Sequence, residues 1–286
     1  MRFIKYFLLG LIVLVVIFLV FPKTVKEEAN LHNSNFFERE SFFKGAEIVE
    51  NNHITYDKKI SGGIIPHHLL AGFIISDFFK RLTFNPPKTI ILIGPNHYEK
   101  GNFKSLTSLY GWNTPFGIVS SDREKISKLV DVNLLKIDEE TLPGDHSVVG
   151  IMPYIKFYLP NTKVVLILLS GLMTENDVKL LSDSLKTVSD ENTTIIASVD
   201  FSHYLRGVEA QEKDKKTLEL IKNYNYPGLF SLNNDYLDSA SSVSVLLMTM
   251  QSLNKMNMEV LQNTNSGVIE NDNTRQSTSY FSIVYY

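Results

Sequence analysis

Three apolar runs along the chain each end in proline, glycine or aspartate and bring a histidine within a few positions. They are GGIIPHH at residues 62–68, IILIGPNH at residues 90–97 and IIASVDFSH at residues 195–203. Unbroken runs of Val, Ile and Leu are typical of parallel strands buried on both faces, and ligands bind beyond the carboxyl ends of such strands. The pattern therefore predicts three strands of one sheet that carry histidines to a shared polar site.

Apolar positions at helical spacing separate these strands. Residues 69–82 follow that spacing, and the Asn85-Pro86-Pro87 break ends the helix before the next strand begins at Thr89. The alternation continues with a strand at residues 164–169, a helix after Thr174 and a strand at residues 194–199. Helices at residues 209–222 and 241–253 and a final strand at residues 280–285 follow. Alternation of this kind indicates βαβ units. We therefore expect an α/β fold with a mainly parallel central sheet flanked by helices.

The N-terminal apolar run, Tyr6 to Pro22, carries no charged residue and reaches the lower limit of the roughly 17 to 25 residues that a transmembrane helix needs. A cleaved signal peptide is the alternative, but no small-x-small cleavage site follows the run. We predict an uncleaved anchor at residues 1–22, a polar tether at residues 23–43 and an α/β domain at residues 44–286. The slight positive bias before the run predicts a single-pass membrane protein whose main domain is extracytoplasmic.

Composition narrows the chemistry of the expected site. The formal net charge is −3 with both signs interspersed, so the chain lacks the basic stripe of a nucleic-acid-binding protein. The chain also contains no cysteine. Any metal must therefore be bound by His, Asp or Glu side chains.

His67 and His97 are the strongest candidates for metal ligands. Each follows a proline, directly or one residue removed, at the end of a predicted buried strand, where the backbone is well fixed. The alternative is that each histidine only caps its strand through local hydrogen bonds. His68 follows His67 directly, and consecutive side chains leave an extended segment on opposite sides. We therefore expect only one of these two to be a ligand.

A second cluster contains Asp200 and His203, in SVDFSHY. A carboxylate three residues before a histidine can orient the imidazole or raise its basicity, which suits an acid/base group. A turn closed by Asp200 is the structural alternative. His146, in PGDHS, is a further candidate, although Asp145 or Ser147 there is also suited to cap the following helix.

Five motifs together resemble one known family. GGIIPHHLLAG is similar to its apolar strand with Pro-His, and LIGPNH to its Gly-Pro-Ser/Asn-His element. The others, in chain order up to the terminal SYFSIVYY, are TPFGIVSSD, GDHSVVGIMPYI and SVDFSHY. In these motifs the chain resembles the MEMO family, which is AmmeMemoRadiSam system protein B in prokaryotes. The resemblance implies a fold like that of class III extradiol dioxygenases, which bind iron(II) through two histidines and a carboxylate.

By this resemblance His67 and His97 are metal ligands, and Asp200, His203 and, less directly, His146 are pocket residues. The family's third ligand is commonly a cysteine in a Cys-Gly-x-x-Pro element before a helix, and this chain departs from that element. A gap-free alignment of the helix start places Asp238 at the cysteine position. That substitution would give a two-His-one-carboxylate set. The alternatives are that Asp238 or a nearby serine only caps the helix, with the family site eroded, or that Asp235 is the relevant carboxylate.

Three functions follow from these residues. The first is a redox enzyme that uses iron(II) on an unknown small-molecule substrate, and the second is a zinc-dependent hydrolase with the same pocket. The third is a binding module whose family site no longer catalyses. The resemblance also implies radical SAM and AMMECR1-like partner proteins, from which an exported domain would be separated.

Overall fold

A mixed sheet lies at the centre of the computed structural model, which describes residues 30–272 and 274–286. In this part of the chain the strands are β1 (Leu31–Asn33), β2 (Gly62–Ile65), β3 (Thr89–Pro95), β4 (Ser105–Thr107), β5 (Gly111–Thr114), β6 (Gly117–Val119), β7 (Lys136–Ile137), β8 (Lys163–Leu169), β9 (Thr193–Ser198), β10 (Met258–Asn265) and β11 (Ser279–Tyr285). The central sheet has the order β10-β11-β2-β9-β3-β8-β4-β7, while β1, β5 and β6 form a second, smaller sheet.

The middle of the central sheet is parallel, and it contains the three strands predicted to deliver histidines. β2 pairs with β9, β9 with β3, and β3 with β8, all in parallel. The flanking strands differ, because β11 is antiparallel to both β10 and β2, and β4 is antiparallel to β8. Residues 96–104 link β3 to β4 without a helix. Parallel strands of one sheet need a crossover of about a dozen residues or more, so this short link brings β4 back antiparallel, on the far side of β8. The predicted mainly parallel, extradiol dioxygenase-like sheet is therefore corrected to a mixed α/β fold.

Helices cover both faces of this sheet. In the described residues they are α1 (Arg39–Asn51), α2 (Gly72–Leu82), α3 (Arg123–Asp131), α4 (His146–Val149), α5 (Met152–Tyr158), α6 (Glu175–Val188), α7 (Gly207–Lys222), α8 (Tyr226–Phe230), α9 (Ala240–Ser252) and α10 (Ser266–Ile269). β1 and the first residues of α1 come from the segment 23–43 that was expected to be a tether.

Strand β3 shows how the two faces are filled. Ile91 and Ile93 belong to the apolar cluster formed with α3, α6 and α9, whereas Ile90 and Leu92 belong to the cluster formed with α1, α2 and α5. Successive side chains of a strand point to opposite faces, so a strand buried on both faces is apolar at every position. The unbroken apolar runs in the sequence therefore predict the central strands correctly.

The predicted membrane helix is not supported by the structure. Among residues 30–272 and 274–286, no helix is long and apolar enough to cross a membrane. The predicted span, residues 6–22, lies outside these described residues. The expected membrane location and extracytoplasmic domain depended on that span, and no helix in the described residues supports them.

Gly94, near the end of β3, allows α4 to approach the sheet closely. A Cβ atom at this position would lie 2.7 Å from Ser147 Oγ and 3.0 Å from Val148 Cγ1. The Ser147 hydroxyl donates to the Pro95 carbonyl oxygen at 2.9 Å, and the Ser198 hydroxyl donates to the Ser147 carbonyl oxygen at 2.6 Å. The first turn of α4 is thereby fixed to the ends of β3 and β9.

Candidate metal centre

His67 follows the end of β2 and is 2% exposed. Its Nδ1 lies 3.3 Å from the carbonyl oxygen of Ser198, at the end of β9. Because a carbonyl oxygen only accepts hydrogen bonds, Nδ1 carries a proton and Nε2 is the nitrogen available to a metal. Nε2 lies 3.2 Å from Asp238 Oδ2 and 3.6 Å from Asp200 Oδ2.

His97 follows the end of β3 and is held by the buried carboxylate of Asp145. Nδ1 of His97 lies 2.9 Å from Asp145 Oδ1, and the backbone N–H of His97 donates to Asp145 Oδ2 at 2.8 Å. The Ser147 N–H also donates to Asp145 Oδ1, at 3.0 Å, so Asp145 both caps α4 and orients the imidazole. The other ring nitrogen, Nε2, lies 3.8 Å from Asp238 Oδ2.

Asp238 therefore lies between the two histidines. Its backbone N–H donates to the Asp200 carbonyl oxygen at 3.1 Å, and the Asp200 N–H donates back to Asp238 Oδ2 at 3.2 Å. The second carboxylate oxygen, Oδ1, is buried and has no hydrogen-bond partner among the described residues. Leaving a buried carboxylate oxygen unsatisfied is costly unless a cation or another group is bound there.

The alternatives to a ligand role for Asp238 were a helix cap, by Asp238 or a nearby serine, and Asp235 as the relevant carboxylate. The N-cap of α9 is Ser239, whose hydroxyl accepts from the Ser242 N–H at 3.1 Å, so the nearby serine caps that helix and Asp238 does not. Asp235 forms an ion pair with Lys213 at 2.9 Å on α7.

His146 brings a third imidazole to the same place. Its ring stacks on that of His97 with a centroid distance of 4.4 Å and an interplanar angle of 17°, and lies 5.2 Å from the His67 ring. One nitrogen from each of these three rings lies within 4.8 Å of the others. A second group of potential ligand atoms within the same limit consists of His67, Asp200 and Asp238.

Asp200 and His203 lie near this group in different roles from the predicted pair. Asp200 Oδ1 accepts from the His67 backbone N–H at 3.1 Å, so this carboxylate supports His67. The His203 ring instead donates from Nδ1 to the Asn234 carbonyl oxygen, with the two atoms 3.1 Å apart. The Asn234 carbonyl, and not Asp200, therefore orients the His203 ring. Asp200 and His203 both lie close enough to the candidate centre to interact with its residues.

The acidic groups strongly change the titration of the two histidines facing Asp238. Burial alone would lower the pKa of His67, but the carboxylates of Asp200 and Asp238 raise it overall. Burial also opposes the charge on His97, yet hydrogen bonds to Asp145 and Asp238 raise its pKa to about 10. A metal that binds the His97 ring at neutral pH therefore has to displace a proton, and the carboxylates beside His67 favour a proton there too.

The pKa values of Asp238 and His146 shift in the complementary direction. Burial would raise the pKa of Asp238, but the charge of His67 and hydrogen bonds to His67 and His97 hold it well below the usual range. Burial, together with the charges of His67 and His97, lowers the pKa of His146 to about 4. The centre thus combines an ionised carboxylate with a neutral third imidazole.

Asp145 is the functional residue that sequence reasoning did not assign to the site. The sequence signal was present, because an aspartate directly before a helix that begins with a candidate histidine is a helix-cap motif. Its second role, the orientation of His97, depends on β3 lying beside α4, which is a contact between segments distant in sequence.

Comparisons with known proteins agree with this architecture. The sequence model of the family described as "Memo-like protein" matches residues 42–284. A MEMO1 family protein of Methanosarcina barkeri is 29% identical over 245 residues, covering 82% of this chain and 88% of the relative. A MEMO1 family protein of Pyrobaculum aerophilum is 25% identical over 236 residues, covering 79% and 83%. The crystal structure of an uncharacterized protein from Escherichia coli K12 has a similar fold, with a TM-score of 0.52 at 11% identity over 78% of this chain and 99% of that one.

Proposed function

Since this chain belongs to the family of Memo-like proteins, we propose that it is a metal-dependent enzyme in which His67, His97 and Asp238 bind one divalent cation. The observation that carries this proposal is the position of Asp238, whose Oδ2 lies 3.2 Å from Nε2 of His67 and 3.8 Å from Nε2 of His97. Its Oδ1, buried without a partner among the described residues, is a further donor atom.

The spacing of these atoms fits a shared ion. Two ligand atoms that each lie about 2.1 Å from a metal are about 3.0 Å apart at right angles and about 3.4 Å apart at the tetrahedral angle. Of the two distances around Asp238 Oδ2, 3.2 Å lies between these values and 3.8 Å lies somewhat above them. In both rings Nε2 is also the nitrogen that faces Asp238, because Nδ1 is bonded to the Ser198 carbonyl in one ring and to Asp145 in the other.

Iron(II) is the favoured metal, because two histidines with one carboxylate form the ligand set of non-haem iron(II) oxygenases. When bound, iron(II) would supply a Lewis-acidic and redox-active centre with open positions for a small-molecule substrate and dioxygen. This makes an oxidoreductase of dioxygenase type the function that the site supports best.

Residues of the chain then supply orientation and proton transfer. Asp145 and the Ser198 carbonyl hold the two ligand rings, and Asp200 holds the His67 backbone. His203 donates from Nδ1 to the Asn234 carbonyl, so Nε2 of the neutral ring has a lone pair and can take a proton from a substrate hydroxyl.

A zinc-dependent hydrolase is the second candidate, and the position of His146 favours it. Nitrogens of His67, His97 and His146 lie within 4.8 Å of one another, and three histidines with one open position form a known catalytic zinc site. Zinc would lower the pKa of a bound water molecule, and His203 would accept the proton.

The two candidates differ in the third metal ligand, which is Asp238 in the iron enzyme and His146 in the zinc enzyme. The test is the metal content of protein purified anaerobically, measured by mass spectrometry for wild type, Asp238→Asn, His146→Gln and the matched control Asp235→Asn. We expect iron bound at about one per chain in wild type, His146→Gln and Asp235→Asn, and its loss in Asp238→Asn, because a neutral amide is a poor metal ligand.

Loss of zinc in His146→Gln with retention in Asp238→Asn would instead assign the three-histidine site. Activity assays then separate the chemistries, by oxygen consumption with a panel of phenols and by hydrolysis of a panel of esters and amides. Unchanged metal content in all three variants, and also in His97→Ala, would overturn the ligand assignment.

A further inference from the structure

A cavity of about 700 Å³ adjoins the candidate metal centre. Its lining includes His67 and His146, so the cavity reaches the metal-binding side chains. Most of the remaining cavity surface is apolar. The apolar side chains that line it are Phe36, Ile48, Leu69, Leu70, Phe73 and Ile269. Small-molecule sites typically have volumes of about 300 to 1,000 Å³, with mostly apolar walls and a few polar groups that set specificity.

The charged side chains of this cavity do not select one sign of ligand charge. Glu38, Glu40 and Lys44 all line it, all three are exposed, and they contribute both signs. Phe36, Glu38 and Glu40 also precede residue 42, where the match to the family begins. Specific recognition is therefore better assigned to a polar group that a buried partner holds in place.

His68 is also exposed, but its ring is held by the buried side chain of Tyr280, although its place next to His67 argued against a role as a metal ligand. The His68 ring lines the cavity, and its Nδ1 is hydrogen-bonded to the hydroxyl of Tyr280. No hydrogen-bond partner of its Nε2 is found in the described part of the chain. His68 is thus a polar group that faces the cavity with one ring nitrogen already bonded.

The Tyr280 hydroxyl sets the direction of this contact. Among the described residues, the hydrogen bond found for the buried Tyr280 hydroxyl is the one to Nδ1 of His68. Burial keeps the Tyr280 phenol protonated by raising its pKa. The Tyr280 O–H therefore donates to Nδ1 of His68, and the ring proton lies on Nε2.

We propose that this cavity is the substrate site of the metal-dependent enzyme proposed above, and that His68 Nε2–H donates to a carbonyl or carboxylate oxygen of the substrate. The substrate class is a small molecule with an aryl or similar apolar body, which packs against Phe36 and Phe73 and carries this oxygen acceptor. The identification of the bound molecule as a substrate rests on the proposed function, whereas the binding site itself is defined by the cavity.

The test uses three probes of the same shape, namely 3-phenylpropanamide, 3-phenylpropanoate and 3-phenylpropylamine. Dissociation constants are measured by ligand-observed NMR with wild type, His68→Leu and Tyr280→Phe. We expect His68→Leu to weaken the amide roughly 3- to 10-fold and the carboxylate by about 10-fold or more, because it removes the donor. The amine has no acceptor oxygen, so its affinity should be the same in all three proteins.

Tyr280→Phe removes only a hydroxyl. It should weaken binding of the amide and, more strongly, of the carboxylate, because the proton of the His68 ring can then lie on Nδ1 instead of Nε2. Equal affinities of wild type and both variants for the amide and the carboxylate, or no binding of any probe to wild type, would overturn the inference. Metal content is measured on the same samples. Unchanged probe binding with bound metal contradicts only the role of His68, whereas a wild-type protein without metal contradicts the proposed function whatever the probes do.

Discussion

Substitution of Asp145 by asparagine tests how the candidate centre is held together. The carboxylate accepts from the His97 N–H at 2.8 Å, from His97 Nδ1 at 2.9 Å and from the Ser147 N–H at 3.0 Å. An asparagine side chain has only one acceptor oxygen. Its amide nitrogen must therefore face at least one of these donors, so Asp145→Asn loses a charge-assisted hydrogen bond and places two donors against each other.

Two separate losses follow from this geometry. A hydrogen bond to a charged group contributes roughly 1.5–3 kcal/mol, and we expect the free energy of unfolding to fall by about that amount. Loss of a carboxylate that orients a metal-binding histidine typically lowers metal affinity about 10- to 100-fold. His97 would then no longer be held with Nε2 toward Asp238.

Asp122 offers a matched control at the opposite end of β3. It caps α3 by accepting from the Lys125 N–H at 3.3 Å, and it accepts from the Thr89 hydroxyl at 2.6 Å. Asp122→Asn should also lower the free energy of unfolding but leave metal affinity unchanged. Unfolding is measured by urea titration and metal affinity by competition with a chelator. Wild-type metal affinity in a folded Asp145→Asn protein would refute the role assigned to this carboxylate.

Two further predictions concern pH and packing. The pKa of His97 is raised to about 10 from its ordinary value near 6.5, so the contribution of this residue to the stability of the metal-free protein is fully present below about pH 6.5 and is lost as pH rises through about 10. The difference in unfolding free energy between wild type and His97→Gln should therefore shrink between pH 7 and pH 10, while apparent metal affinity rises; a constant difference would contradict the assigned contacts. Gly94→Ala should lower the free energy of unfolding by about 1–3 kcal/mol and also weaken metal binding, because the new Cβ would lie 2.7 Å from Ser147 Oγ. A thermal melt and the same chelator competition check this, and an unchanged melting temperature would show that α4 can move away freely.

The central strands could be read from the sequence because burial on both faces leaves a local signature. Ile90 to Ile93 are apolar at every position, and helices cover both of their faces. The edges of the sheet leave no comparable signal. β4 and β7 are three and two residues long, and their pairing depends on contacts with strands distant in sequence.

The residues of the candidate site also differ in whether the local sequence marks them. His67 and His97 could be placed at one edge from the strand ends alone, whereas Asp238 was reached only through the family resemblance. Nothing local marks Asp238, since the cap of α9 is its neighbour Ser239. Asp145 and His68 were visible as a cap and a tandem neighbour, but their contacts with His97 and Tyr280 are formed only in the folded chain.

The position of a bound metal ion tests the central proposal most directly. The protein is purified anaerobically, loaded with iron(II), crystallised and examined by anomalous diffraction at the iron edge. The account predicts one ion at about 2.0–2.3 Å from Nε2 of His67, Nε2 of His97 and a carboxylate oxygen of Asp238. An ion bound by His146 in place of Asp238, or bound away from His67 and His97, would contradict it.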